Sequence, residues 1–196
     1  MYNIYFTSDL HFGHDKDFMY VPRGFSSIEE HDNAIIRNWN ETVRPQDYVY
    51  ILGDLVLGDL DKGLEKLNKL NGAKYMIRGN HDTENKLDRY YIETDIMPME
   101  SDEYTLASTF QIGKWNFYLS HYPVCLNDYR SASSSRKWCL CGHSHTKNKW
   151  QDIERCSYHI ELDCHNNRPV SLDEIKKDIN WFKALSDEEK IKLINS

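Results

Sequence analysis

The sequence predicts an α/β domain with mixed strands, and three observations predict it. Through the first half, short apolar runs that stop at turn residues alternate with amphipathic helical segments. That is the pattern of right-handed crossover units around a parallel sheet. The second half changes to alternating strands with a turn at Gly113, and the tail returns to helices opened by serine and glutamate three apart.

In order, Asn3 to Ser8 reads as a buried strand, short, aromatic and β-branched. The following "SSIEEHDNAIIRNWNETV" reads as a helix with a capping box of Ser26 and Glu29, ending before Pro45. A second buried strand, "DYVYILGD", stops at Gly53. Leu60, Leu64, Leu67 and Leu70 mark one face of the next helix, with Gly72 as its expected cap, and Asp59 is expected at its start. "KYMIRGNHD" is a third strand running into a turn. The segment from Glu103 to Pro123 is a hairpin, and "RKWCLCGHSH" and "CSYHIELDCH" are further strands. Two closing helices begin with Ser171 and Glu174, and with Ser186 and Glu189. The short "SASSSRK" reads as a mobile loop.

With 196 residues, 40% apolar and 13% aromatic, and no linker-like tract, residues 1–196 are expected to form a single domain. Twenty-four basic against 31 acidic residues leave a net charge of −7, which argues against broad attraction to nucleic acid or to anionic membranes. A local basic patch stays compatible with that balance. No leader-like pattern opens the chain and no run reaches membrane-spanning length, so the expectation is a cytoplasmic protein without a membrane partner. Five cysteines without a C-x-x-C pair suggest reduced, buried thiols rather than a disulfide framework or a zinc ribbon. Composition does not encode the oligomeric state.

Strong ligand side chains recur at the ends of the predicted strands. Asp9 and His11 are two apart, so an extended backbone puts both on one face. Taken alone, they also fit a turn-capping aspartate beside a half-buried histidine. Asp54 follows Gly53, where a sharp turn directs the carboxylate beyond the sheet, the side on which open α/β sheets bind ligands. "RGNHD", Arg78 to Asp82, sets an amide, an imidazole and a carboxylate in sequence, more than a Gly-Asn turn requires. His121 follows the strand "WNFYLS", and His143 and His145 form a second pair two apart, a spacing that suits a metal.

In this order the blocks Asp9-x-His11, Gly53-Asp54, Gly79-Asn80-His81-Asp82, His121 and Gly142-His143-x-His145 resemble those of the calcineurin-like metallophosphoesterase superfamily. "SDLHFGH", "NWN" and "NNRPVSLDEI" are similar to a small bacterial and phage group within it. The resemblance implies a four-layer α/β/β/α sandwich of two mixed β-sheets flanked by helices. It also implies two cation sites, one held by Asp9, His11 and His145 and the other by Asn80, His121 and His143, with Asp54 bridging. Mixed nitrogen and oxygen donors suit first-row ions such as Mn²⁺, Fe²⁺ or Zn²⁺ better than Mg²⁺ or Ca²⁺; the cofactor expected is two divalent cations, Mn²⁺ foremost with Fe, Zn or Ni as alternatives, at a separation of roughly 3.5–4 Å.

The activity implied is hydrolysis of a small phosphoester, a monoester or a small diester such as a nucleotide, by a metal-bridging hydroxide that attacks phosphorus. His81 is then the general acid for the leaving alkoxide, with Asp82 holding its ring in the useful tautomer. His14 either points at the substrate phosphate or pairs with a neighbouring acid. Arg78 and Arg23 are candidate bidentate phosphate ligands, or else ordinary arginines near turns, and Arg130, Arg136 and Lys137 form a possible phosphate rim or a solvated loop. Cys139, Cys141 and Cys164 read as core residues, with an influence on metal preference left open. Two alternatives stand beside the hydrolase: a nuclease on single strands, disfavoured by acidity, and a metal-poor interaction scaffold, which would have been free to lose its ligands.

Overall fold

The computed structural model describes residues 1–124, 137–150 and 156–195. "SASSSRK" except for its last residue, and Arg130 and Arg136, lie outside them. Two mixed β-sheets are flanked by helices, as the family resemblance implies. In the first sheet β1 (Ile4–Thr7), β2 (Tyr48–Ile51), β3 (Ala73–Met76) and β4 (Ile96–Pro98) run parallel, and β9 (Val170–Ser171) adds antiparallel to β1, giving the order β4-β3-β2-β1-β9. In the second, β5 (Ala107–Ile112) and β6 (Trp115–Ser120) form the expected hairpin, and β7 (Trp138–Cys141) and β8 (Ser157–His159) continue it in parallel.

Strand periodicity decides which residues fill which core. Tyr5, Val49, Ile51 and Met76 face the helices α2 (Ile28–Thr42), α3 (Leu60–Leu67) and α4 (Glu84–Glu93), meeting Ile35, Trp39, Leu64, Leu67, Leu87 and Tyr90. Their neighbours Phe6, Leu52 and Ile77 enter the other core, against Phe117, Leu119, Trp138 and Leu140 of the second sheet. α5 (Leu172–Ala184) contributes Ile175, Ile179 and Phe182 to that same core, and α6 (Asp187–Ile194) packs partly buried Leu193 and Ile194 there. Period-two alternation thus makes one short strand serve two apolar layers. Among the described residues no helix is long and apolar enough to cross a membrane.

Several local expectations are met and others are corrected. Both capping boxes of the tail are present, and Asp59 caps α3 by accepting from the Lys62 amide. The cap of α2 is Ser27, not Ser26: the Ser27 hydroxyl accepts from the Glu30 amide, while the Glu30 carboxylate accepts from the amide and hydroxyl of Ser26. The capping pair is shifted by one residue because consecutive serines offer the same side chain. α3 ends at Leu67 with Asn68 as its cap, short of Gly72, whose φ of +89° instead serves the turn into β3. α1 (Asp17–Tyr20), α4 and β4 have no signal in the reading above. Cys139 and Cys141 are buried beside Tyr118 and Val124, on the face of β7 opposite Trp138 and Leu140.

Parallel pairing has a functional consequence. β1, β2 and β3 all end at the same edge, and so do β6 and β7 of the second sheet, so the loops after them meet. Backbone bonds carry the pairing past the strand ends: the Asp9 amide donates to the Gly53 carbonyl at 3.0 Å and the His11 amide to the Asp54 carbonyl at 3.1 Å. The Gly142 amide donates to the His121 carbonyl at 3.0 Å in the same way.

Candidate metal centre

Seven side chains from five loops converge at this edge. Asp9 Oδ1 lies 3.5 Å from His11 Nε2 and 3.7 Å from His145 Nε2, which makes one cluster. Asn80 Oδ1 lies 2.8 Å from His121 Nε2 and 2.9 Å from His143 Nδ1, which makes a second. Between them Asp54 Oδ2 is 3.7 Å from His11 Nε2 and 3.5 Å from His121 Nε2, within reach of a ligand of each. Asp9, Asp54 and His121 also approach closely enough to share one ion. The two final histidines use different ring nitrogens, a distinction the i, i+2 spacing did not carry.

The backbone is strained where these ligands sit. Asp9, His11, Asp54, His143 and His145 have φ of 58°, 50°, 60°, 72° and 48°. A non-glycine residue in the left-handed region costs on the order of 1–3 kcal/mol, and such residues concentrate at sites of function. Strand geometry alone would have left Asp9 and His11 side by side on a pleat; the left-handed turns aim them inward instead.

Close backbone approach is the second local device. A Cβ on Gly79 would overlap the Asp54 carboxylate, and one on Gly142 would overlap Ser8 Oγ and Asp9 Oδ2. Asp9 Oδ2 is held there by the Ser8 hydroxyl at 2.5 Å and the His143 amide at 2.9 Å, which leaves Oδ1 for the cleft. Gly142→Ala is therefore expected to destabilise the protein by about 1–3 kcal/mol through overpacking and to weaken cation binding. Thermal unfolding and Mn²⁺ titration of the variant check this, and a wild-type result in both would contradict the steric account.

The donor set fits divalent cations. Asp9 Oδ1 and both ring nitrogens of His11 are buried with no hydrogen-bond partner, although such groups are normally satisfied. His121 donates from Nδ1 to the Leu52 carbonyl at 2.7 Å, so its Nε2 turns a lone pair toward Asn80 and Asp54. A neutral His11 ring keeps one lone pair, so a cation between these groups would pair with that nitrogen, with His121 Nε2 and with the Asp9 carboxylate together.

Electrostatics holds His11 and Asp9 in the forms that bind a cation. Burial, foremost, holds His11 down at about 4, hence neutral near pH 7. At Asp9 burial favours the neutral acid, but the adjacent His11 ring at 3.5 Å and, when protonated, the rings of His121 and His145 outweigh it and keep the carboxyl well below its usual range. Asp54 goes the other way: burial, with Asp82 and Asp9 nearby, pushes it up to about 6 against the pull of His121.

The remaining site candidates are placed as follows. His81 is exposed at the cleft mouth with its ring centroid 5.6 Å from that of His11, its amide donating to Asp54 Oδ1 at 2.8 Å. Asp82 does not orient that ring. It is buried and its oxygens accept from the amides of Asp54 at 2.6 Å, Gly79 at 3.0 Å and Leu55 at 3.2 Å, so the carboxylate is spent on shaping two ligand loops. His14 is half-buried, its ring 5.5 Å from that of His11 and its Nδ1 without a partner. Arg78 is half-buried, 3.9 Å from Glu84.

Arg23 does not offer its guanidinium to a substrate. The side chain is fully covered and bonds to Asp163, His31 and the carbonyl of Asp9. Asp163 itself, on the 3-10 turn Leu162–Cys164, carried no motif in the sequence, because its partners are 140 residues away at Arg23 and 18 away at His145.

Paired sheets with carboxylate, amide and imidazole side chains gathered on loops at one edge define an α/β fold with a candidate metal centre. The chain belongs to the calcineurin-like phosphoesterase family, whose sequence profile matches residues 2–195. It is 33% identical over 194 residues to an uncharacterized protein of Methanocaldococcus jannaschii, covering 94% of this chain and 96% of that one. It is 30% identical over 200 residues to the gene 66 protein of Mycobacterium phage L5, covering 92% and 95%. Among solved structures, a protein of unknown function from Aquifex aeolicus shares the fold, with a TM-score of 0.63, 20% identity, and coverage of 90% of this chain and 99% of that one.

Proposed function

We propose that the protein hydrolyses small phosphoesters, monoesters or compact diesters including nucleotides, with two divalent cations, Mn²⁺ foremost and Fe, Zn or Ni as alternatives. The observation that carries this reading is the convergence of partnerless buried acceptors, Asp9 Oδ1 and His11, on the space they share with Asp54 and His145. Bound there, the cations would supply Lewis acidity toward the phosphoryl oxygens and a hydroxide nucleophile from water. Asp54 lies within reach of both ligand sets, so its negative charge would offset the repulsion between bound cations.

His81, exposed at the mouth, delivers the proton to the leaving alkoxide. His14, with its partnerless Nδ1 beside the His11 ring, faces the phosphoryl group. Two exposed rings flank the centre: Phe18 stands edge-on to His14 at 5.4 Å, and Tyr122 edge-on to His143 at 4.6 Å. Flat apolar surface beside a phosphoryl site suits an aromatic or nucleobase leaving group. The charge of −7 weighs against a long polyanion as substrate, and a scaffold has no use for a full ligand set in strained turns. The thiols of Cys139, Cys141 and Cys164 fit a reducing, cytoplasmic setting.

The test is to strip the protein of metal, restore Mn²⁺, Zn²⁺, Ni²⁺ or Mg²⁺ separately, and assay aryl and alkyl mono- and diesters and nucleotides, with Asp54→Ala as control. Metal-restored turnover of small esters that Asp54→Ala lacks is the expected result. Preference for single-stranded oligonucleotides would favour the nuclease, and cation binding without any turnover would favour the scaffold.

A further inference from the structure

We propose that Asp163, clamped by Arg23, is a positioning residue that fixes the tautomer and ring plane of His145 so that Nε2 is presented to a cation; this rests on the metal-site reading above. Asp163 Oδ2 lies 3.1 Å from His145 Nδ1 and accepts from Arg23 Nη2 at 2.7 Å, while Oδ1 accepts from Arg23 Nε at 3.1 Å. A carboxylate paired with a guanidinium in this bidentate way only accepts. His145 Nδ1 therefore carries the proton, and Nε2 keeps the lone pair that faces Asp9 Oδ1 at 3.7 Å.

The alternative tautomer is disfavoured by counting hydrogens. Arg23 Nη2 also stands 3.4 Å from His145 Nδ1, but its two hydrogens already go to Asp163 Oδ2 and, at 2.8 Å, to the Asp9 carbonyl. Nothing is left to donate to that ring nitrogen.

Arg23 joins the two ends of the same cluster. Through Asp163 it fixes His145, and through the carbonyl of Asp9 it fixes a ligand whose backbone is in the left-handed region. Its Nη1 donates to His31 Nε2 at 3.0 Å; the His31 ring then donates from Nδ1 to Asp32 at 2.8 Å, and Asp32 accepts the Gly13 amide at 3.0 Å. The first ligand loop, between His11 and His14, is thereby braced on α2 by the same chain of contacts. Partners of this kind raise metal affinity by about 10–100-fold in other metal sites because they hold a ligand in one orientation.

Two measurements test the role. Long-range 1H–15N correlation spectra of the metal-stripped protein at about pH 8.5, above the ordinary imidazole range, should show wild-type His145 with its proton on Nδ1; a proton on Nε2 overturns the proposal without any variant. Isothermal titration with Mn²⁺ should then show one of two cations bound about 10–100-fold more weakly by Asp163→Asn, with the other little changed. Equal affinity for both cations in variant and wild type overturns the positioning role alone. Failure of the wild-type protein to bind cations overturns the metal-site reading instead, and leaves the tautomer result standing. If Asp163→Asn does not fold, the wild-type spectrum still decides.

Discussion

Asp54→Asn is expected to abolish metal-dependent hydrolysis and, at the same time, to stabilise the metal-free protein above about pH 6. The loss follows from removing the charge that spans both ligand sets: bound cations are worth several kcal/mol in the transition state, so a fall of about 10³-fold or more is expected. The gain follows from the pKa. Burial, with Asp82 and Asp9 close by, raises the Asp54 carboxyl from an ordinary 3.8 to about 6 in the folded chain. Between those values the native state holds a proton that the unfolded state has released, so stability falls as pH rises through that window and stays lower above it. Two pKa units correspond to a penalty on the order of 3 kcal/mol near neutral pH.

Asparagine has no such penalty. Its oxygen can keep the bond from the His81 amide at 2.8 Å, and its amide group can face the ring nitrogens of His11 and His121. Urea unfolding of stripped wild type and variant from pH 4 to about pH 8 checks the sign: the variant's advantage should grow from about pH 4 to about pH 6 and hold above that, and added Mn²⁺ should reverse the order. A stripped variant less stable than wild type at the upper end would remove the electrostatic account of this site.

His81→Ala should slow alkyl esters by about 10²–10⁴-fold while sparing esters with activated aryl leaving groups, since only a poor leaving group needs protonation. The position supports that division of labour. The backbone of His81 is pinned on both sides, its amide to Asp54 and its carbonyl to Lys86 Nζ at 2.8 Å, while the ring stays exposed at the mouth. Equal losses for both ester classes, measured as kcat/KM, would rule out the acid role. Asp82→Asn should behave differently from a variant of a ring-orienting partner. It disturbs the three amides that shape the Asp54 and Gly79 turns, so the expected signature is weaker cation binding for every substrate rather than selective loss of alkyl turnover.

The contrast between Asp82 and the candidate ligands shows where sequence legibility ends. The convergence of the seven candidate ligands was legible because each side chain follows an apolar run, and parallel strands send the ends of such runs to one edge. Sequence adjacency misled at Asp82: the neighbour of a functional histidine was assigned to its ring, whereas the turn directs the carboxylate backward into the amides of its own loop and the preceding one. Neither reading of Arg23, a phosphate ligand or an ordinary arginine near a turn, anticipated its burial, for a similar reason: a loop arginine near a ligand block carries no local sign that it is covered.

By itself, then, the order of residues determined the alternation of strands and helices, the hairpin, the capped tail helices and the chemical types of the seven side chains that converge, because all of these depend on local periodicity and side-chain identity. Only the tertiary structure decided that His143 turns Nδ1 and His145 Nε2 toward the centre, that five ligands sit in left-handed turns, and that Arg23 and Asp163 brace His145. Those outcomes depend on contacts between segments far apart in the chain, where the cost of a strained turn or a buried charge is offset by groups that no local pattern reveals.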